Sequence, residues 1–382
     1  PTSTVAPAPT FTLAPSRTPL PPSTGPFKLV RGFDSQLIPG LLTTLTSDGK
    51  GRFWLSGPND AVLLDPATGD AARVRFSRPP LGVDSGSRAW ELAENGSYVS
   101  AWDGEDWTDY AEGLGWTPAT VTQAPLEFRS DASGNVWLVT AADVRRFDGQ
   151  RWRVFTPYEM GITLPWKAGV STDLVLALGP DSTWVGSCDR AGGEPTGQGG
   201  LRRLQNDRWM DAGLPALPAC ITALTAAPDG SVWVGLYGGT LWHFDTAAQT
   251  WSGPLALPLP PDRTYYTNFL ELPLDRDGNP WPLVELCTAS GCGQQVTRFH
   301  LDENGNLQAT GLSQEPPQQR LLFDATGQAW LLTPDSIGPL AEDGSFTPLE
   351  GLSVIAAAFD SGGRLWLAAE SEGQLGLWVD RR

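Results

Sequence analysis

An aspartate stands six residues before a tryptophan, with glycine between, at Asp48/Trp54, Asp84/Trp90, Asp131/Trp137, Asp275/Trp281, Asp324/Trp330 and Asp360/Trp366. Two further copies have shortened turns, GPDSTW ending at Trp184 and PDGSVW ending at Trp233. The eight tryptophans lie 36, 47, 47, 49, 48, 49 and 36 residues apart. Such a period is one propeller blade long, longer than a typical solenoid unit. It constrains the chain more than any other feature, because each copy must bury its faces against the next.

The copy CITALTAAPDGSVWVGLYGGTLWHFDTAAQTWSG shows what one unit builds. Apolar residues alternate, β-branched and aromatic types dominate, and Asp-Gly or Gly-Gly breaks each run, which predicts four antiparallel strands in a meander. The anchor tryptophan falls where neighbouring sheets face each other, as a wedge between blades. The last copy holds three strands, near VIAAAFD, RLWLAAE and QLGLWVD. The fourth is expected from residues 27 to 31, where Phe27 and Val30 echo the spacing of Trp152 with Phe155 and Trp107 with Tyr110. The expected fold is an all-β, eight-bladed propeller latched by its amino-side strand. Seven blades are the alternative, since the copy around Trp90 is the most degenerate.

Residues 27–382 are thus expected to form one domain, preceded by a Pro/Thr/Ser-rich tail, PTSTVAPAPTFTLAPSRTPLPPSTGP, over residues 1–26. That composition suits an extended linker. A formal charge of -17 argues against nucleic acid or an anionic bilayer as partner. No apolar run reaches membrane-spanning length.

Of the four cysteines, Cys188 ends a second strand and Cys220 precedes the next copy's first strand. In a meander propeller those connections share a rim, so the two thiols are placed to meet between blades. Cys287 and Cys292 flank TASG and are placed to close that loop. Two disulfides and an oxidising compartment are expected, although four cysteines allow three pairings. No CxxC pair or nearby His completes a metal set.

The first-to-second turns are short, and so are most third-to-fourth turns. Long excursions crowd the other rim: AEGLGWTPATVTQA, TPYEMGITLPWKAGVS, SCDRAGGEPTGQGG, SGPLALPLPPDRTYYTN and ELCTASGCGQQ. Binding groups tend to sit on such loops, which makes Trp116, Tyr158, Trp166, Arg190, Tyr265 and Tyr266 the candidate contacts. The competing expectation is that these residues fold down and seal the blade tops.

Catalysis finds little support. His243 and His300 lie in third strands and assemble no triad, phosphate loop or metal pair. The recurring aspartates read as turn residues. DRDGNP and DENGN lack EF-hand spacing, and NGS at Asn95 is a glycosylation sequon. No cofactor or metal is expected.

The copies ITALTAAPDGSVWVGLYGGTLWHFD, DASGNVWLVTAADVRRFDG and DRDGNPW resemble the two-component-regulator propeller repeat of periplasmic sensor regions in bacterial hybrid histidine kinases. The likeness covers most of residues 42–382. It implies an exported bacterial propeller, here as one ring without a kinase. The repeats also resemble virginiamycin-lyase-type propellers, without an identifiable His and Glu set. Sialidase Asp-boxes are similar, but here Gly commonly follows Asp after two residues. The tail resembles the stretch after the lipidated Cys of bacterial lipoproteins, which implies a surface protein whose only link to a membrane is an amino-terminal lipid.

The expected function is a non-catalytic, exported, cell-surface or extracellular propeller that binds protein, including copies of itself as a homo-oligomer or filament. The tail would serve as the inter-subunit tie, and a tail lying on its own blades would count against that. Alternatives are a ligand module, for example for a glycan, using the long-loop face, and a lyase or hydrolase.

Overall fold

The computed structural model describes residues 11–12, 27–33, 42–48, 50–93, 98–111, 114, 127–140, 142–163, 169–259, 266–287, 296–302, 304–314, 320–334, 336–341, 344–371 and 373–381. Eight antiparallel sheets follow one another as blades 1 to 8. Their innermost strands are Thr44–Ser47, Gly82–Val83, Glu127–Ser130, Val170–Leu178, Ile221–Ala226, Tyr266–Glu271, Arg320–Phe323 and Ser353–Phe359. Most blades have four strands in meander order. Blade 7 has three, and its outer edge continues as a bridge between Leu340 and Phe346. The degenerate copy around Trp90 makes a blade of its own, so the count is eight and not seven.

Blade 8 is completed from the amino side. Strand Phe27–Gly32 pairs antiparallel with Gln374–Asp380, setting Phe27 opposite Asp380 and Leu29 opposite Trp378. Phe27 and Leu29 are 1% and 2% exposed and pack with Trp330, Val354 and Leu367. The alternation in FKLV thus does what a closing strand must, turning one apolar face onto the neighbouring blade.

Eight apolar clusters are found among the described residues, and each joins two successive blades around one anchor. Trp54 of blade 1 packs with Ala89 and Trp102 of blade 2. Trp90 of blade 2 packs with Leu138 and Phe147 of blade 3. The series continues through Trp137, Trp184, Trp233, Trp281 and Trp330, and Trp366 of blade 8 meets Phe53 and Leu55 of blade 1. Every anchor therefore faces forward into the next blade, so the ring has no open interface. All eight are at most 7% exposed, and truncating one to Ala would cost about 3–5 kcal/mol.

The six-residue spacing has a chemical reason. The aspartate's Oδ1 accepts turn amides two and four residues on, as Asp360 does from Gly362 and Arg364, both at 2.9 Å. Its Oδ2 accepts the indole Nε1, at 2.8 Å for Trp90 with Asp84, 2.9 Å for Trp137 with Asp131, 3.0 Å for Trp330 with Asp324 and 2.9 Å for Trp366 with Asp360. One carboxylate thus closes the turn and aims the wedge. The shortened copies use other acceptors: Ser182 Oγ for Trp184, and the Gly278 carbonyl of the next blade for Trp233. In blade 1, Asp48 holds Arg52 instead, and the Trp54 Nε1 has no partner among the described residues.

The two described tail residues, Phe11–Thr12, pair with Arg73 and Ala72 on the outer strand of blade 1, Ala71–Arg75. They lie on the chain's own blade, which speaks against these residues tying one ring to the next.

Candidate functional site

Among the described residues, the outer-to-inner and second-to-third connections leave and re-enter their strands on one rim, where the long excursions of the sequence begin and end. SCDRAGGEPTGQGG, expected as a loop, is instead a β-ribbon. Strands Thr183–Ala191 and Glu194–Gln205 of blade 4 turn at Gly192 and Gly193, with φ of 60° and 90°, and the inner strand Val170–Leu178 pairs along the first of them as far as Ala191. Two successive positive φ values are what a two-residue hairpin loop needs, and Gly-Gly supplies them without strain.

The ribbon is braced from several sides. Cys188 is disulfide-bonded to Cys220, with Cα atoms 4.2 Å apart, tying blade 4 to the start of blade 5. Thr172 Oγ1 donates to Asp189 Oδ1 at 2.7 Å, and Thr196 Oγ1 donates to the Asp189 carbonyl at 3.0 Å. At Gly199 a Cβ would stand 2.0 Å from the Ser187 oxygen and 2.6 Å from the Ala219 oxygen, so only glycine fits there. Arg190, a candidate contact, donates Nε to the Asp173 carboxylate and Nη1 to the Gly193 carbonyl at 3.0 Å. Its charge is already used to stiffen the ribbon.

Tyr158 is different. It sits on a four-residue helix, Pro157–Met160, between the outer parts of blades 3 and 4. The Thr156 hydroxyl accepts the Glu159 amide at 3.3 Å, the Glu159 carboxylate accepts the Thr156 amide at 2.9 Å, and Gly161 closes the other end at φ 72°. Both termini of a single turn are therefore satisfied. Met160 and Ile162, 1% and 6% exposed, plug it into the core with Leu204 and Trp209. Arg202 donates Nε to the Gly161 carbonyl at 3.1 Å. The described turn does seal the blades, yet it leaves Tyr158 91% exposed.

Trp116, Trp166 and Tyr265 lie outside the described residues. Tyr266 opens the inner strand of blade 6, opposite Cys287, and the side chains of both residues lie outside the description. Cys292 and the Asn95 sequon lie outside it too, so the second disulfide stays an expectation.

Along the axis, the inner strands enclose a cavity of about 610 Å3 whose charged lining is Glu127, Arg129, Glu271 and Arg320. Arg129 pairs with Glu127, and Glu271 with Arg298 at 3.4 Å. None of these residues stood out in the sequence, because only closure brings inner strands from several blades together.

Both histidines pack on anchor tryptophans, His243 on Trp233 with centroids 4.4 Å apart and His300 on Trp281 at 5.2 Å. Burial holds the His243 pKa below the ordinary 6.5, against the pull of Asp229 and Asp245. The calcium-like stretches are turns: Asp275 accepts the amides of Asp277 and Asn279, and Asp302 those of Asn304 and Asn306. Among the described residues no group of three or more His, Cys, Asp or Glu is placed to hold a metal, and no helix is long and apolar enough to cross a membrane.

No protein-family model and no curated protein matches this chain. Solved structures do. The Dos1 propeller is similar at 10% identity and a TM-score of 0.53, over 88% of this chain and 92% of that one. YCF48 bound to D1 peptide is similar at 13% identity and 0.45, over 95% and 98%. The extracellular domain of a putative one component system from B. thetaiotaomicron follows at 14% and 0.42, with 93% of this chain spanning 40% of that one. At these identities the likeness is one of fold.

Proposed function

We propose that this chain is a non-catalytic, exported β-propeller that acts by binding other proteins, with the long-loop rim as its contact face. The observation that carries this reading is Tyr158, 91% exposed on a turn whose own backbone is fully capped and plugged. An exposed aromatic side chain with few rotatable bonds, carried on a fixed backbone, costs little ordering entropy on binding, which is why such residues serve as interface anchors. The braced ribbon beside it adds a second fixed projection. The Cys188–Cys220 bond supports an oxidising compartment, hence an extracellular or cell-surface setting. Both imidazoles being spent on packing supports a role without catalysis.

A photo-crosslinking phenylalanine analogue at position 158, introduced in the cells that make the protein, tests this. The expected result is a discrete adduct with one partner protein or with a second copy of the chain, absent when the analogue replaces Glu105 on the opposite rim. Equal yields from both positions, or no adduct, would overturn the reading. Self-assembly through the tail is the finer proposal. Native mass measurement with and without residues 1–26 tests it, and equal masses would remove it.

A second reading, a small-ligand module, rests on the charged axial cavity. Loss of a ligand-induced stability gain in an Arg320→Ala variant would favour it.

A further inference from the structure

Strand register sets one third-strand residue opposite each anchor tryptophan that lies in a paired strand. In blades 3 and 4 it is an arginine: Arg146 opposite Trp137 and Arg203 opposite Trp184. Each guanidinium lies over its indole, with Cζ 5.7 and 5.0 Å from the ring centroid. Each also reaches into the third-to-outer turn of the following blade. Arg146 finds a carboxylate there, Nη1 to Asp207 Oδ1 at 3.0 Å. Arg203 finds an amide, donating Nη1 to Gln249 Oε1 at 3.2 Å. Two interfaces of one design thus differ in that the second lacks the counter-charge.

Arg203 is 5% exposed, and its Nε has no acceptor among the described residues. Among the described residues no carboxylate pairs with it. It lines a pocket of about 280 Å3 between the outer parts of blades 4 and 5, walled by Trp184, Phe244 and Trp251, with Gln205 and Gln249. Asp211 borders the same pocket, but its carboxylate is engaged by Arg202 at 2.9 Å and by the Gly213 amide at 2.8 Å. A buried cation without a counter-ion is costly, and a guanidinium's fork matches a carboxylate. The pocket's small volume and aromatic walls suit a carboxylate on a short apolar stem.

We propose that this pocket is a carboxylate site, in which Arg203 receives the side-chain carboxylate of a Glu or Asp from a bound polypeptide while Trp184, Phe244 and Trp251 pack on its methylenes. The site is separate from the rim that carries Tyr158, so its failure leaves the protein-binding reading of that rim standing.

The test follows the Arg203 Nε–H resonance in protein labelled with 15N-arginine, at constant ionic strength. The probes are N-acetyl-glutamate α-amide, its glutamine analogue, propionate and inorganic phosphate. A saturable shift is expected with the glutamate probe and none with the glutamine analogue. No saturable shift, or an equal one from the glutamine analogue or phosphate, overturns the proposal. Propionate binding as tightly as the glutamate probe assigns the site to free carboxylates and overturns the polypeptide part. Because Arg203→Met removes a packed side chain and risks unfolding the blade, the decisive variant is Gln249→Glu, which supplies the counter-charge from within. It is expected to raise the thermal midpoint and abolish the probe-induced shift. A midpoint unchanged or lowered, with probe binding retained, overturns the proposal.

Discussion

Asp360 accepts four hydrogen bonds at once, from the Gly362 and Arg364 amides, the Arg364 guanidinium and the Trp366 indole. An asparagine in its place keeps one acceptor oxygen but turns an NH2 towards two donors. Asp360→Asn is expected to lower stability by about 1–3 kcal/mol, read as an earlier urea midpoint at unchanged slope; no shift would mean that the indole finds water instead. Burial pushes Asp48, Asp324 and Asp360 up, but the hydrogen bonds each accepts outweigh it, and all three settle below the ordinary 3.8. A carboxylate held below its unfolded value adds stability that is complete above that value and drains away as pH falls through the folded one. The contribution of these three aspartates is therefore expected to be complete down to about pH 5, while His243, whose pKa burial lowers from 6.5, withdraws some stability as pH falls below that value; the thermal midpoint is expected to fall steeply below about pH 4. A midpoint that rises on acidification would contradict this assignment.

The blade 4 ribbon shows what an element adds. Its disulfide closes a 32-residue separation, and on chain-entropy grounds Cys188→Ser is expected to cost up to about 4 kcal/mol. The same substitution should raise hydrogen-exchange rates in Glu194–Gln205 while leaving blades 1 and 2 alone; a uniform increase would mean that the bond fastens the whole ring. The sequence discloses much at this scale. Asp and Trp six apart spell out the turn, the wedge and the blade count, because all three follow from local spacing. The ribbon reads as a loop because its glycines and Pro195 look like breakers, although Gly192-Gly193 is a hairpin marker. The bracing role of Arg190 and the bare charge of Arg203 are not legible, since each depends on register with a strand or turn far along the chain.

At the scale of the molecule, closure rests on one pair of strands. Removing residues 1–26 is expected to leave the thermal midpoint within about 2 °C, because that segment contributes only the short Phe11–Thr12 pairing to the described structure. Removing residues 1–33 takes away Phe27 and Leu29 and is expected to lower the midpoint by more than about 10 °C, with dye-binding apolar surface appearing at blade 8. Equal midpoints for the two truncations would mean that the latch is not what holds the ring. Phe27 lies opposite Asp380, so the two latch strands leave the ring at the same end of their pairing. Tension applied between those points loads the cross-strand bonds singly, in unzipping geometry, instead of shearing them together. A ring with no open seam to heat would then yield to a modest mechanical pull, and it would come apart first at blade 8.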